Sequence, residues 1–247
     1  MIKIFQENSL FHPKEMYKLT CTQNGYLSVF QELTSSRRRK LKQNNMHLTD
    51  GMEFSYPNEF PVLRPYSSSI DYAFHAFGSH TKLDGHGQAI HFFMDDYKFA
   101  TACDRNLEKT TSLLSKFDCI FTPDYSLYVD MPVQMNKHNI FLSRFAGAFW
   151  QQCGFNVIPT ASWSNADSFE YCFEGLPSNS VIAVCGTGVK WCQASYQLWQ
   201  YGMRALEEKL SPLIIIVYGT DLEVPGLHTQ LVFIEDNISR KIRKCNR

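Results

Sequence analysis

The order of apolar and polar positions divides this chain at about residue 88. Beyond that point, short apolar runs alternate with longer stretches whose apolar residues recur every three or four positions. Ile90 to Met94 predicts a strand, and Asn106 to Lys116 a helix with Leu107, Leu113 and Leu114 on one side. Asp118 to Phe121 is the next strand. A long helix follows from about Gln134 to Cys153, carrying Ile140, Phe141, Phe145, Phe149 and Trp150 at helical spacing and ending at Gly154. Phe155 to Ile158 predicts another strand, and Ala166 to Phe173 a short helix stopped by Gly175-Leu176-Pro177. Ser180 to Cys185, Leu213 to Val217 and Leu231 to Ile234 predict three more strands, with an amphipathic helix, Gln193 to Leu210, after the first. Strands alternating with helices predict right-handed βαβ units and a parallel sheet, hence an α/β fold. A TIM-like barrel, complete or incomplete, is the preferred architecture; an open doubly wound sheet is the alternative.

The first 88 residues follow no clear period. Proline punctuates Tyr56-Pro57 through Pro65, and only Val62-Leu63 and Tyr72-Ala73-Phe74 look like short strands. The chain therefore divides into residues 1–88, a region that packs on or completes the core, residues 89–239, the βα-repeat core, and residues 240–247, a basic tail.

In a parallel sheet all strands end on the same edge, and that is where α/β folds place their sites. The strand ends here are Asp95-Asp96, Thr122-Pro123-Asp124, Pro159-Thr160-Ala161-Ser162-Trp163, Gly186-Thr187-Gly188 and Tyr218-Gly219-Thr220-Asp221. They carry carboxylates, hydroxyls and small residues, where an ordinary surface loop would favour lysine and glutamate. Asp95, Asp96 and Asp124 are the candidate catalytic acids. Neighbouring strand residues face opposite ways, so only one of Asp95 and Asp96 is expected to look into a site. Paired carboxylates can divide base and nucleophile roles, or together hold a divalent cation. Tyr125, Ser126, Thr160, Ser162, Trp163, Gly186, Thr187, Gly188 and Tyr218 are the candidate substrate-binding residues. Trp163 and Tyr125 are suited to stacking on a base or sugar face, and the glycines to close backbone approach. His75, His80, His86 and His91 cluster in the sequence without the spacing of a zinc motif, so no metal ligands are assigned. No cofactor is predicted.

Bulk composition narrows the classes. A length of 247 residues with 44% hydrophobic content can bury a full core. The apolar runs are too short to span a bilayer and the amino terminus lacks a signal-peptide layout, so a cytoplasmic protein with no membrane contact is expected. The eight cysteines are scattered and lack a Cys-x-x-Cys pair, which reads as buried reduced thiols. Net charge is zero, but the charges are segregated. Arg37, Arg38, Arg39, Lys40 and Lys42 form one basic cluster, and Arg240, Lys241, Arg243, Lys244 and Arg247 another. These ten leave 14 of the 24 basic residues against 24 acids, a balance of −10 on the rest. Basic extremities on an acidic body suit a nucleic acid or nucleotide partner.

Several of these stretches resemble an uncharacterised family of bacterial, phage and mobile-element proteins, a domain of unknown function. They are Phe93-Met94-Asp95-Asp96-Tyr97-Lys98-Phe99, Thr122-Pro123-Asp124-Tyr125-Ser126-Leu127-Tyr128, Trp150 with Gly154, and Val157-Ile158-Pro159-Thr160-Ala161-Ser162-Trp163. Phe173-Glu174-Gly175-Leu176-Pro177 and Gly186-Thr187-Gly188 complete the resemblance, which covers about residues 90–220. It implies a shared domain and a phage or mobile-element setting, with no known activity to carry over. The layout alone is similar to the barrel of queuine-type base-exchange enzymes, without their zinc-binding cysteines, which is an analogy of fold.

Three functions follow as expectations. The first is an enzyme acting on a nucleoside or nucleic acid by glycosyl transfer or hydrolysis through the strand-end acids. The second is a non-catalytic nucleic-acid-binding accessory protein, and the third a metal-dependent hydrolase.

Overall fold

The computed structural model describes residue 42 and residues 45–219 and 221–235. It separates into two units, residues 1–52 and 53–247. In the first, the described part is a single 3-10 turn at Met46–Leu48. The second holds the sheet. The basic segments around Arg37 to Lys40 and Arg240 to Lys244, and Thr220 at a strand end, lie outside the described residues.

The described residues of the second unit form eight short strands, all in parallel pairings. They are β1 (Ala73–Ala76), β2 (Gln88–His91), β3 (Cys119–Phe121), β4 (Val157–Ile158), β5 (Thr160–Ala161), β6 (Val181–Cys185), β7 (Ile214–Tyr218) and β8 (Gln230–Ile234). Two four-stranded sheets result, ordered β1-β2-β3-β4 and β5-β6-β7-β8. The break between them is Pro159. A proline has no N–H to give a ladder, so the strand stops there and resumes one residue later. Ile158 still pairs with Phe121 on β3, whereas Thr160 pairs with Ala183 on β6. The chain thus changes partner sheets across one residue.

The helices are α1 (Ala100–Asp104), α2 (Leu107–Leu114), α3 (Val133–Gln152) and α4 (Gln193–Leu210). Short 3-10 turns at Asp96–Lys98, Ala166–Glu170 and Val189–Trp191 open three of the connections. Runs such as Val-Ile-Ala-Val in β6 and Ile-Ile-Val in β7 are buried on both faces, as parallel strands covered by helices require. Helix α3 stops where Gly154 takes a left-handed conformation (φ 88°).

Strand order follows chain order without reversal, whereas a doubly wound sheet reverses at a switch point. One face of the strand succession gathers into a single apolar cluster. It includes Ala89, Phe121, Ile158, Ala183, Ile216 and Tyr218, with Phe74 of β1 and Ile234 of β8 packed against it. The ring of Phe93, just past β2, stacks on that of Tyr218 at the end of β7, with centroids 4.9 Å apart. In a flat sheet these strands would stand four spacings apart, about 19 Å. The succession of strands therefore bends, bringing the end of β7 back to the loop after β2. No pairing joins β1 to β8 among the described residues.

Several expectations meet the structure directly. Val62-Leu63 forms no strand: Pro61 and Pro65 flank it, and Pro61 makes only an isolated bridge to Phe54. His80 sits in a 3-10 helix, Phe77–Lys82, with its ring stacked on Phe77 at 4.5 Å. Cys103, Cys119 and Cys172 are buried free thiols, whereas Cys153 and Cys192 are exposed. No helix among the described residues is long and apolar enough to cross a membrane.

Candidate active site

The site forms where the loops after β2, β3 and β5 meet the first half of α3. Asp95 and Asp96 point different ways, but past the end of β2, where Asp95 is the N-cap residue of the 3-10 turn Asp96–Lys98, so the turn and not strand alternation separates them. Asp95 turns outward and pairs with Lys98 at 2.6 Å. Asp96 turns inward, where it accepts hydrogen bonds from the Ser126 hydroxyl at 2.9 Å and the Ser126 N–H at 3.1 Å. The β2 and β3 loops are thereby joined at the carboxylate.

Asp124 is half-buried and accepts a hydrogen bond of 2.5 Å from the Ser162 hydroxyl, past the end of β5. Burial pushes its carboxyl up to about 7. The Ser162 hydrogen bond opposes that rise, the charge of Asp96 adds to it, and the Arg144 cation pulls it back. Asp124 therefore holds its proton near neutral pH, within electrostatic reach of a second carboxylate.

Arg144 projects from α3 and is buried. Its N–H groups donate to three backbone carbonyls, Thr160 at 3.0 Å, Cys172 at 2.9 Å and Glu174 at 3.4 Å. A long contact to the Ser143 hydroxyl, 3.5 Å, completes its partners. Burial lowers the guanidinium to about 10, while Cys172 and Asp124 hold it up. No carboxylate lies within ion-pair distance of Arg144 among the described residues. Its charge is met by the dipoles of these carbonyls.

The same face of α3 organises the β3 loop. Asn136 brackets Tyr128, accepting from its N–H at 3.3 Å and donating to its carbonyl at 3.1 Å. Asn139 donates to the Ser126 carbonyl at 2.8 Å. Helix and strand can approach this closely because Gly147 has no side chain: a Cβ there would lie 2.4 Å from the Thr122 methyl. Tyr125 packs its ring edge-on against Phe99 and gives its hydroxyl to the Asp104 carboxylate. Burial raises the Asp104 carboxyl; Tyr125 opposes the rise and the charge of Asp96 contributes to it. Between these groups lies a small open cleft with room for about one water molecule, lined among others by Tyr125, Asn139, Ser143, Arg144 and Ser162.

Asp96, Asp124, Tyr125, Ser126 and Ser162 are thus brought together. The remaining candidates are not. Thr160 is buried, with its N–H on the Thr122 hydroxyl at 2.8 Å and its own hydroxyl on the Thr122 carbonyl at 3.0 Å. Trp163 packs against Phe173 and against Gly202 of α4, where a Cβ would meet its indole at 2.0 Å. Tyr218 stacks on Phe93. Gly186 donates its N–H to the Tyr218 carbonyl at 2.7 Å, and Gly186-Thr187-Gly188 packs at the β6–β7 side, away from the cleft lining. His91, buried among Phe93, Phe121 and Tyr218, is lowered to about 3 by burial and by His75. It stays neutral at any physiological pH.

Sequence reasoning missed Arg144, Asn136, Asn139, Ser143 and Asp104. The first four had a signal. Asn136, Asn139, Ser143 and Arg144 recur at helical spacing, a polar stripe on the buried side of a helix. Glu174 also acquires a role: its carboxylate accepts from the Ser55 hydroxyl at 2.5 Å and from the Asn58 N–H at 2.9 Å, tying the segment before Pro61 to the core. No set of three His, Cys, Asp or Glu side chains gathers as a metal site among the described residues.

Comparison with known proteins places this geometry in a family. Residues 52–234 match the DUF4417 family, described as a domain of unknown function, and the chain belongs to it. The chain is similar to the Gene 1 protein of Mycobacterium phage L5, with 33% identity over 198 residues, 77% of this chain and 85% of that protein. It is also similar to the Gene 1 protein of Mycobacterium phage D29, with 35% identity over 133 residues, 54% of this chain and 49% of that protein. No solved structure matches the chain. The resemblance to an uncharacterised family with phage members is therefore established. The family match begins before β1, at residue 52, and so takes in the whole described sheet.

Proposed function

We propose that the protein is an enzyme that cleaves or exchanges a glycosidic bond of a nucleoside or nucleic acid, with Asp124 as the proton donor. The observation that carries this reading is a carboxyl raised to about 7 beside Asp96, at the carboxyl edge of parallel strands. A carboxyl raised toward neutrality can act as a general acid beside a second carboxylate. The glycosidic bond breaks with its electrons going to the leaving base, and Asp124 supplies the proton. Asp96, whose oxygens already hold Ser126, stabilises the positive charge that develops on the sugar. Water or an acceptor hydroxyl then attacks the sugar and returns a proton to Asp124.

The scaffold we infer is an incomplete TIM-like barrel. Sequential strand order and the stacking of Phe93 on Tyr218 support it. Nucleic-acid contact through Arg37, Arg38, Arg39, Lys40, Arg240, Lys241, Arg243 and Lys244 is part of the proposal, and it predicts binding that weakens steeply with salt. The mechanism needs no cofactor. A metal-dependent version would use the same two acids, Asp96 and Asp124.

The test is release of free base from nucleosides, DNA and RNA by the native protein and by Asp124→Asn. The variant is expected to lose about 100-fold or more of the activity. It should not melt earlier than the native protein at pH 8, because a buried ionised carboxylate is removed. Unchanged release would refute Asp124 as the acid. A variant that melts far below the native protein would make Asp124 a structural brace.

A further inference from the structure

We propose that unpaired nucleic acid lies across the carboxyl-edge loops, with its bases stacked on Tyr97, Tyr128 and Trp191. The proposal rests on the nucleic-acid reading above and specifies the form of the substrate. Large aromatic side chains are normally buried for their area; these three are 78%, 56% and 91% exposed. Each sits in a loop that follows a strand: Tyr97 after β2, Tyr128 after β3 and Trp191 after β6. Because every described pairing is parallel, all three loops leave the same edge.

Two of the rings flank the candidate site. Tyr97 follows Asp96, and Tyr128 lies two residues past Ser126, whose hydroxyl holds Asp96. Neither loop is loose at this point, since Asn136 brackets the Tyr128 backbone from both sides. Cations accompany the rings. The Lys98 ammonium, paired with Asp95 at 2.6 Å, stands 5.5 Å from the Tyr97 ring centre. Lys190, next to Trp191 and with no carboxylate partner among the described ion pairs, stands 5.9 Å from the ring centre of Tyr196. Rings interleaved with lysines form the usual platform for single strands, since every base has a face to stack and every linkage a charge to neutralise. A neutral oligosaccharide could use the rings but not the cations. A duplex keeps its bases stacked on one another and offers them to these rings only after unpairing.

Binding can be read without turnover by titrating the full-length Asp124→Asn protein with a twelve-residue oligothymidylate and following tryptophan fluorescence. Trp150 and Trp199 are buried and Trp163 is packed on Gly202, so Trp191 should report the contact. We expect quenching that Trp191→Phe reduces. Replacing Tyr97, Tyr128 or Trp191 by Ala should each weaken binding about 5-fold or more. The same thymidylate annealed to its complement should bind less tightly. Equal affinity in the triple alanine variant, equal binding of the duplex, or binding of a neutral hexasaccharide in preference to the oligonucleotide would each overturn the proposal. Weakened binding in the alanine variants together with full base release by Asp124→Asn would leave this platform standing and remove only the acid role.

Discussion

At the scale of single residues, Asp124 links stability to activity through one proton. Its carboxyl is raised in the folded protein, so the folded state binds that proton more tightly than the unfolded chain does. The stability this group contributes is complete below its ordinary value near 4. It is lost as pH rises towards about 7, by about 1.4 kcal/mol for each pH step between those two values. A scan of melting temperature from pH 4 to pH 8 should therefore fall more steeply for the native protein than for Asp124→Asn. Ser162 moves the same proton the other way. Its hydrogen bond favours the ionised form, so Ser162→Ala should raise the Asp124 carboxyl and move the alkaline limb of the rate profile upward. An unmoved limb would mean that Ser162 does not reach Asp124 in solution. Arg144 differs in kind. Replacing it by Met would strip donors from three buried carbonyls, and urea denaturation should show a loss of about 3 kcal/mol or more.

At the scale of elements, α3 determines whether the site exists. Its apolar positions were legible because burial repeats every three or four residues, and the observed helix ends within a residue of the expected span. Its polar side was not legible, although the spacing was there. Arg144 is stable in the interior because Thr160 of β5 and Cys172 and Glu174, after the 3-10 turn at Ala166–Glu170, turn carbonyls toward it, and the spacing within α3 does not reveal those distant partners. Gly147 sets the distance between helix and strand. Gly147→Ala should cost about 1–3 kcal/mol through the clash with Thr122. Adding Thr122→Ser, which removes the methyl and keeps the hydroxyl bonded to Thr160, should recover part of that in equilibrium unfolding. No recovery would show that Leu63, on the other side of Gly147, carries the strain instead.

At the scale of the whole molecule, the strand ends were readable and their grouping was not. Asp96, Asp124, Ser126 and Ser162 all follow apolar runs, which is why sequence alone could propose them together. Gly186 to Gly188 and Tyr218 follow apolar runs equally well. Which strand ends share a site depends on strand order and on the turn at Pro159, and these bring the loops after β2, β3 and β5 to the same end of α3. The aromatic rim was hidden for a related reason. Tyr97, Tyr128 and Trp191 look like ordinary core aromatics in sequence, and only their exposure on one edge sets them apart.

The central claim is that Asp124 keeps its proton up to neutrality. Carbon-13 NMR of aspartate-labelled protein, titrated from pH 3 to pH 9, measures this directly. One side-chain carboxyl signal should titrate near pH 7 and be absent from Asp124→Asn. If the signal lost in that variant titrates below about pH 5 in the native protein, Asp124 is an ordinary surface acid and the proposed chemistry fails.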